Sequence, residues 1–114
     1  MNNVSEFIQV ITTTASKADA ERFAQHLVAE ELAACVQIIG PMISTYRWQG
    51  AIQTDEEWLC QIKTARALYP QVEAAILDQH AYETPEILAV PVVAGSEAYL
   101  AWLAGALKPA SPSQ

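Results

Sequence analysis

The sequence predicts an α+β sandwich, a single antiparallel sheet carrying its helices on one face. Three observations lead there: strand-helix-strand occurs twice in the element order, a long β-hairpin fills the middle of the chain, and an apolar helix closes it. At 114 residues and 52% hydrophobic content, the chain is long enough for one substantial core and too short for two. One domain is expected over 1–108, with a disordered tail over 109–114.

Each element has a local cause. Phe7 to Thr14 is rich in β-branched residues without a breaker and stops at Ser16-Lys17-Ala18-Asp19, the spacing of a helix-opening capping box. Ala20, Phe23, Ala24, Leu27, Val28 and Leu32 then recur at helical intervals and form one apolar stripe. Cys35 to Ile39 is a short apolar run; Gly40-Pro41 bends it, and an extended pattern resumes from Met42 to Trp48. Gln49-Gly50 supplies a turn. In the returning strand, Ala51 to Thr64, Trp58, Cys60 and Ile62 alternate with Leu59, Gln61 and Lys63.

Ala67 to Asp78 reads as a second helix with Pro70 in its first turn, followed by the loop Gln79 to Thr84. Ile87 to Val90 is a strand broken by Pro91, which implies a sheet edge or a bend. Ser96 caps a last helix whose stripe is Tyr99, Leu100, Leu103 and Leu107. Two right-handed βαβ crossovers sharing one sheet make a ferredoxin-like βαββαβ sandwich with a long hairpin and an extra C-terminal helix. Its second sheet face needs cover from that last helix or from copies of the chain, so self-association is expected.

Thirteen acidic against six basic side chains give a net charge of -7, which repels phosphate backbones and anionic membranes; no nucleic-acid or membrane partner is expected. No run approaches the ~20 apolar residues of a membrane helix, and Met1 to Glu6 lacks signal-peptide character, so the expected location is cytoplasmic. Cys35 and Cys60, 25 positions apart, fit reduced thiols.

Four ordered stretches carry a family likeness: Val10-Ile11-Thr12-Thr13-Thr14, Leu32-Ala33-Ala34-Cys35-Val36, Tyr46-Arg47-Trp48-Gln49-Gly50, and His80-Ala81-Tyr82-Glu83-Thr84-Pro85-Glu86-Ile87. With Lys63-Thr64 and Tyr99 to Leu103 they span nearly the whole chain, which resembles CutA divalent-ion tolerance proteins. The resemblance implies a homotrimer with hairpins paired between subunits, and binding of copper, ahead of zinc, or another divalent ion, with no organic cofactor. Family metal proposals point to Cys35 and His80; a further cysteine of some relatives corresponds here to Thr13, which removes the softest ligand. Ala81 also departs from the family's usual proline.

His80 lies near Tyr82, Glu83 and Glu86, and imidazole with carboxylates suits borderline divalent ions, so His80, Cys35 and Glu83 are the candidate metal ligands. Each has a plainer reading as well: a packed thiol for Cys35, a helix-end imidazole for His80. Cys60 is read as core. Lys63, on an apolar strand, needs an anionic partner, for which Glu57 or Glu86 could serve. Tyr46, Trp48, Lys63, Tyr82, Glu86 and Trp102 are the candidates for a ligand cleft between subunits, the aromatics also being readable as interface packing. The alternative function is a PII-like signalling trimer holding a small anionic ligand there. Without a nucleophile elbow, an H-E-x-x-H helix or a glycine-rich phosphate loop, no catalytic residue is assigned and no enzyme is expected.

Overall fold

The structure is a computed structural model describing residues 6–110. Its elements are β1 (Phe7–Thr14), α1 (Lys17–Ala29), β2 (Cys35–Trp48), β3 (Ala51–Ala65), α2 (Tyr69–Gln79), β4 (Ile87–Pro91) and α3 (Glu97–Gly105). The sheet runs β2-β3-β1-β4 with every neighbouring pair antiparallel. Of the expected tail, 111–114 lie outside the described residues, and Pro109 and Ala110 carry no regular structure.

Period-2 alternation sorts the sheet. Ile8, Val10, Cys60 and Ile62 point beneath the helices and pack with Ala20 and Leu27 of α1 and Val72 and Ile76 of α2. Side chains of this size each contribute about 1.5–3 kcal/mol when fully buried. On the opposite face, Ile39, Leu88 and Val90 remain exposed. The last helix lies against β3 and buries Leu103, while the Lys108 N–H donates to the Glu31 carbonyl at 3.0 Å.

Local chemistry fixes the ends of the elements. The Asp19 N–H donates to Ser16 Oγ at 3.1 Å, which caps α1. At the other end, Leu32 N–H reaches the Leu27 carbonyl at 2.9 Å and Glu31 N–H the Val28 carbonyl at 3.0 Å, a Schellman closure. That closure puts Glu31 at φ 58°, a conformation glycine adopts without penalty and glutamate does not.

The second helix begins two residues later than the apolar pattern suggests, because Arg66–Leu68 tighten into a 3-10 turn that places Pro70 at the helix start. Pro91 is retained as the last residue of β4, opposite Ile8, on a strand with β1 as its one sheet neighbour.

β2 passes through Gly40-Pro41 as a single strand with a bulge between Ile39 and Met42. A side chain at Gly40 would meet the Trp58 ring at 2.5 Å, so the close approach of backbone and indole requires glycine there. The hairpin closes at Gln49 (φ 51°) and Gly50 (φ 80°), the positive-φ pair of a tight type I′ turn. β1 accompanies β3 from Ala65 to Trp58 and stops. Beyond that point β2 and β3 continue as a two-stranded arm, and the molecule measures 46 × 27 × 25 Å. On the arm Ile43 and Ile52 are each 69% exposed.

Candidate functional site

The site forms where the arm leaves the sheet. There β1 ends at Thr13-Thr14, β3 passes from the sheet into the arm at Glu57, and the loop after α2 crosses from the helix layer to the sheet edge. Alternation places Glu57 on the sheet face away from the helices, in phase with Leu59 and Gln61. Glu57 as a residue is 8% exposed. Thr13 Oγ1 donates to Glu57 Oε2 at 3.2 Å, and the Tyr82 hydroxyl donates to the same oxygen at 2.8 Å. Among the described residues Glu57 Oε1 accepts no hydrogen bond and no cationic side chain pairs with this carboxylate.

His80 positions the loop that delivers Tyr82. Its Nε2–H donates to the Thr13 carbonyl at 2.7 Å, and its Nδ1 accepts from the Tyr82 N–H at 3.0 Å. That pattern assigns the neutral imidazole with its proton on Nε2. The ring also lies between Phe23 and Tyr82, with centroids at 5.5 and 4.7 Å. Tyr82 in turn has its pKa raised, first by burial and then by its bond to, and the charge of, Glu57, so the phenol stays a donor throughout the physiological range.

A cleft of about 820 Å³ opens between this loop and the arm. The arm wall is Ser44, Thr45, Tyr46 and Trp48; the loop wall is Tyr82 to Glu86, with Thr13 and Glu57 contributing from β1 and β3. The Tyr46 hydroxyl donates to Asp55 Oδ2 across the arm, and this bond raises the phenol's pKa. Glu57, Glu83 and Glu86 are the carboxylates of the lining, and no lysine or arginine shares it.

Of the residues expected at a cleft between subunits, Tyr46, Trp48, Tyr82 and Glu86 line one cleft within a single chain, and Glu83, expected as a metal ligand, lines it too. Others stand apart. Lys63 lies outside the cleft, and its Nζ donates to Gln37 Oε1 at 2.6 Å, so the anticipated partners Glu57 and Glu86 are replaced by a neutral amide on the neighbouring strand. Trp102 is on α3, its ring 5.5 Å from that of Tyr99.

The proposed ligands His80, Cys35 and Glu83 do not converge within one chain. Both His80 nitrogens are engaged, and Cys35 sits opposite Lys63 whereas Thr13, the anchor of His80, sits opposite Leu59. Those positions of β3 are roughly 13 Å apart along the strand. Among the described residues no cluster of three or more His, Cys, Asp or Glu has the arrangement of a metal cage. The donors that do face open space are carboxylates, and they fit an oxygen-preferring or borderline cation.

Glu57 had entered the sequence reading only as a possible partner for Lys63. The legible signal was a carboxylate in phase with Leu59 on a strand whose other phase is core. Thr13, noted as the residue replacing a thiol, proves to be one of the donors that hold it.

Fold and site together define a small ferredoxin-like domain with an acid-lined cleft. A profile of the CutA1 divalent ion tolerance protein family matches residues 8–106. The divalent-cation tolerance protein CutA of Thermus thermophilus is 40% identical over 94 residues, covering 82% of this chain and 91% of that protein. Human protein CutA is 39% identical over 84 residues, 74% of this chain but 47% of its own length, so the match spans about half of that relative.

Among solved structures, the Thermus thermophilus protein superposes with a TM-score of 0.87 at 37% identity, covering 90% of this chain and 99% of that one. CutA from Xylella fastidiosa gives 0.88 at 35% identity over 91% of this chain and 100% of that one. The chain belongs to the CutA1 divalent ion tolerance protein family.

Proposed function

We propose that this protein contributes to divalent-cation tolerance by binding the ion, without catalysis, and that the cleft at Glu57 receives it. The observation that carries this reading is Glu57: the residue is nine-tenths buried, one carboxylate oxygen is held by two neutral hydroxyls, and the other has no protein donor among the described residues and opens to the cleft. A carboxylate oxygen that has no protein donor and opens to a cleft is free to coordinate an arriving cation. Glu83 and Glu86 on the loop wall add attraction and further oxygen donors. For such a donor set Cu(II) is favoured over Zn(II) by the ordinary affinity series, while Cu(I) would require the sulfur that Thr13 does not supply.

Self-association belongs to the same proposal. Ile43 and Ile52 on the arm and Leu88 on the open sheet face, at 69%, 69% and 57% exposure, form apolar surface that copies of the chain would cover, and a homotrimer is the assembly we propose. The PII-like alternative has the aromatic wall of Tyr46 and Trp48 in its favour. Its anionic ligand, however, would face three glutamates and no lining base.

Calorimetric titration with Cu(II) and Zn(II) tests the reading. Glu57→Gln is expected to weaken Cu(II) binding at least about tenfold, whereas Cys35→Ser leaves it unchanged. Loss of binding in Cys35→Ser with full retention in Glu57→Gln would move the site to the thiol and end this reading.

A further inference from the structure

We propose that the cleft also accepts an organic cation, a protonated amine or guanidinium on an apolar stem. The inference rests on Glu57 being a cation acceptor and goes beyond the metal reading in the class of ligand it names.

Three features of the cleft exceed what a metal ion uses. Its volume, about 820 Å³, is that of a small-molecule site, for which roughly 300–1,000 Å³ is usual. Tyr46, Trp48 and Tyr82 bring three aromatic rings to it. The hydroxyls of Tyr82 and Tyr46 donate their protons to Glu57 and Asp55, which leaves their oxygen lone pairs, beside the rings, to accept from a ligand's N–H. Rings of this kind attract organic cations and pack on alkyl stems, but they are poor ligands for a hydrated metal ion.

The acceptor geometry narrows the class. Glu57 Oε1, open to the cleft and without a protein donor among the described residues, is free to accept an N–H, which an ammonium or guanidinium carries and a quaternary ammonium lacks. Glu83 and Glu86 line the same cleft and can receive a second positive group, so a stem charged at both ends suits the site best. No lysine or arginine of the lining competes for these carboxylates.

The test is calorimetry on metal-free protein with agmatine, which carries a guanidinium and an ammonium on a four-carbon stem. Saturable binding of one agmatine per chain is expected, weakened at least about tenfold by Glu57→Gln and about three- to fivefold by Trp48→Ala. Tetramethylammonium, with the charge but no N–H, is expected to bind more weakly than agmatine. Absent binding, or binding unaffected by Glu57→Gln, overturns the proposal, as does a Trp48→Ala variant that dissociates the assembly yet binds agmatine normally.

Parallel Cu(II) titrations keep the two readings separate. Agmatine failing while Cu(II) binds removes this inference alone; Cu(II) failing while agmatine binds removes the metal reading alone. A capped Gly-Arg-Gly peptide identifies the source: binding equal to that of agmatine supports a protein side chain, and binding of agmatine only supports a free amine.

Discussion

The two halves of β3 put the same alternation to opposite uses. From Leu59 to Lys63 the strand lies between β1 and β2, and Cys60 and Ile62 disappear beneath the helices, as does Thr64 one step further along β1. From Ala51 to Glu56 it has β2 alone, and all of its residues are exposed. One half is packed on both edges and carries the fold. The other is a ribbon of the kind that is marginally stable unless something covers it. Glu57 stands at the junction, where enough sheet remains to bury a carboxylate and enough open space to leave one of its oxygens available.

Truncation on either side of the junction is the strongest way to break this contrast. Ile62→Ala removes a fully buried side chain and is expected to lower unfolding stability by about 2–5 kcal/mol in urea titrations. Ile52→Ala, on the arm, is expected to change subunit unfolding by no more than about 0.5 kcal/mol, with its effect appearing in dissociation of the proposed homotrimer. An Ile52 loss as large as that at Ile62 would make the arm part of the cooperative core and erase the distinction.

A pH series sharpens the same point. Burial pushes the Cys60 thiol up to about 11 from a model-compound value of 9.0. The folded state therefore holds a proton that the unfolded chain releases between those values, and stability falls as pH rises through that window. Cys60 is expected to account for about 2 kcal/mol of the loss between pH 8 and pH 11, the share that Cys60→Ala removes in unfolding measurements at those two values, while the raised Tyr82 phenol leaves a residual fall of the same sign in the variant.

The smallest effect lies at the end of α1. Glu31→Gly relieves a left-handed backbone and is expected to stabilise the packed half by about 1 kcal/mol without altering Cu(II) affinity.

Most of the fold was legible because its causes are local. The first strand matches its β-branched run from Phe7 to Thr14, and Ser16 caps the helix as its spacing indicates. The helix-facing phase of Trp58, Cys60 and Ile62 follows from alternation alone. The late start of α2 was not legible, since a 3-10 turn and the first turn of an α-helix share one apolar pattern.

The site divided along the same line. Residues close together in sequence, Tyr82, Glu83 and Glu86, do share the cleft. The groups that hold the Glu57 carboxylate reach it from Thr13, 44 positions away, and Tyr82, 25 positions away, through a strand register that side-chain type does not reveal. His80 looked like a ligand because imidazoles often are; its two hydrogen bonds make it the brace that aims Tyr82.

The central claim is that Glu57 is where a cation arrives. Anomalous diffraction from crystals soaked in Cu(II) tests it most directly: the account predicts a peak about 2.0–2.5 Å from Glu57 Oε1 that is lost in Glu57→Gln. A peak on Cys35 or the His80 ring, with none at Glu57, would contradict it.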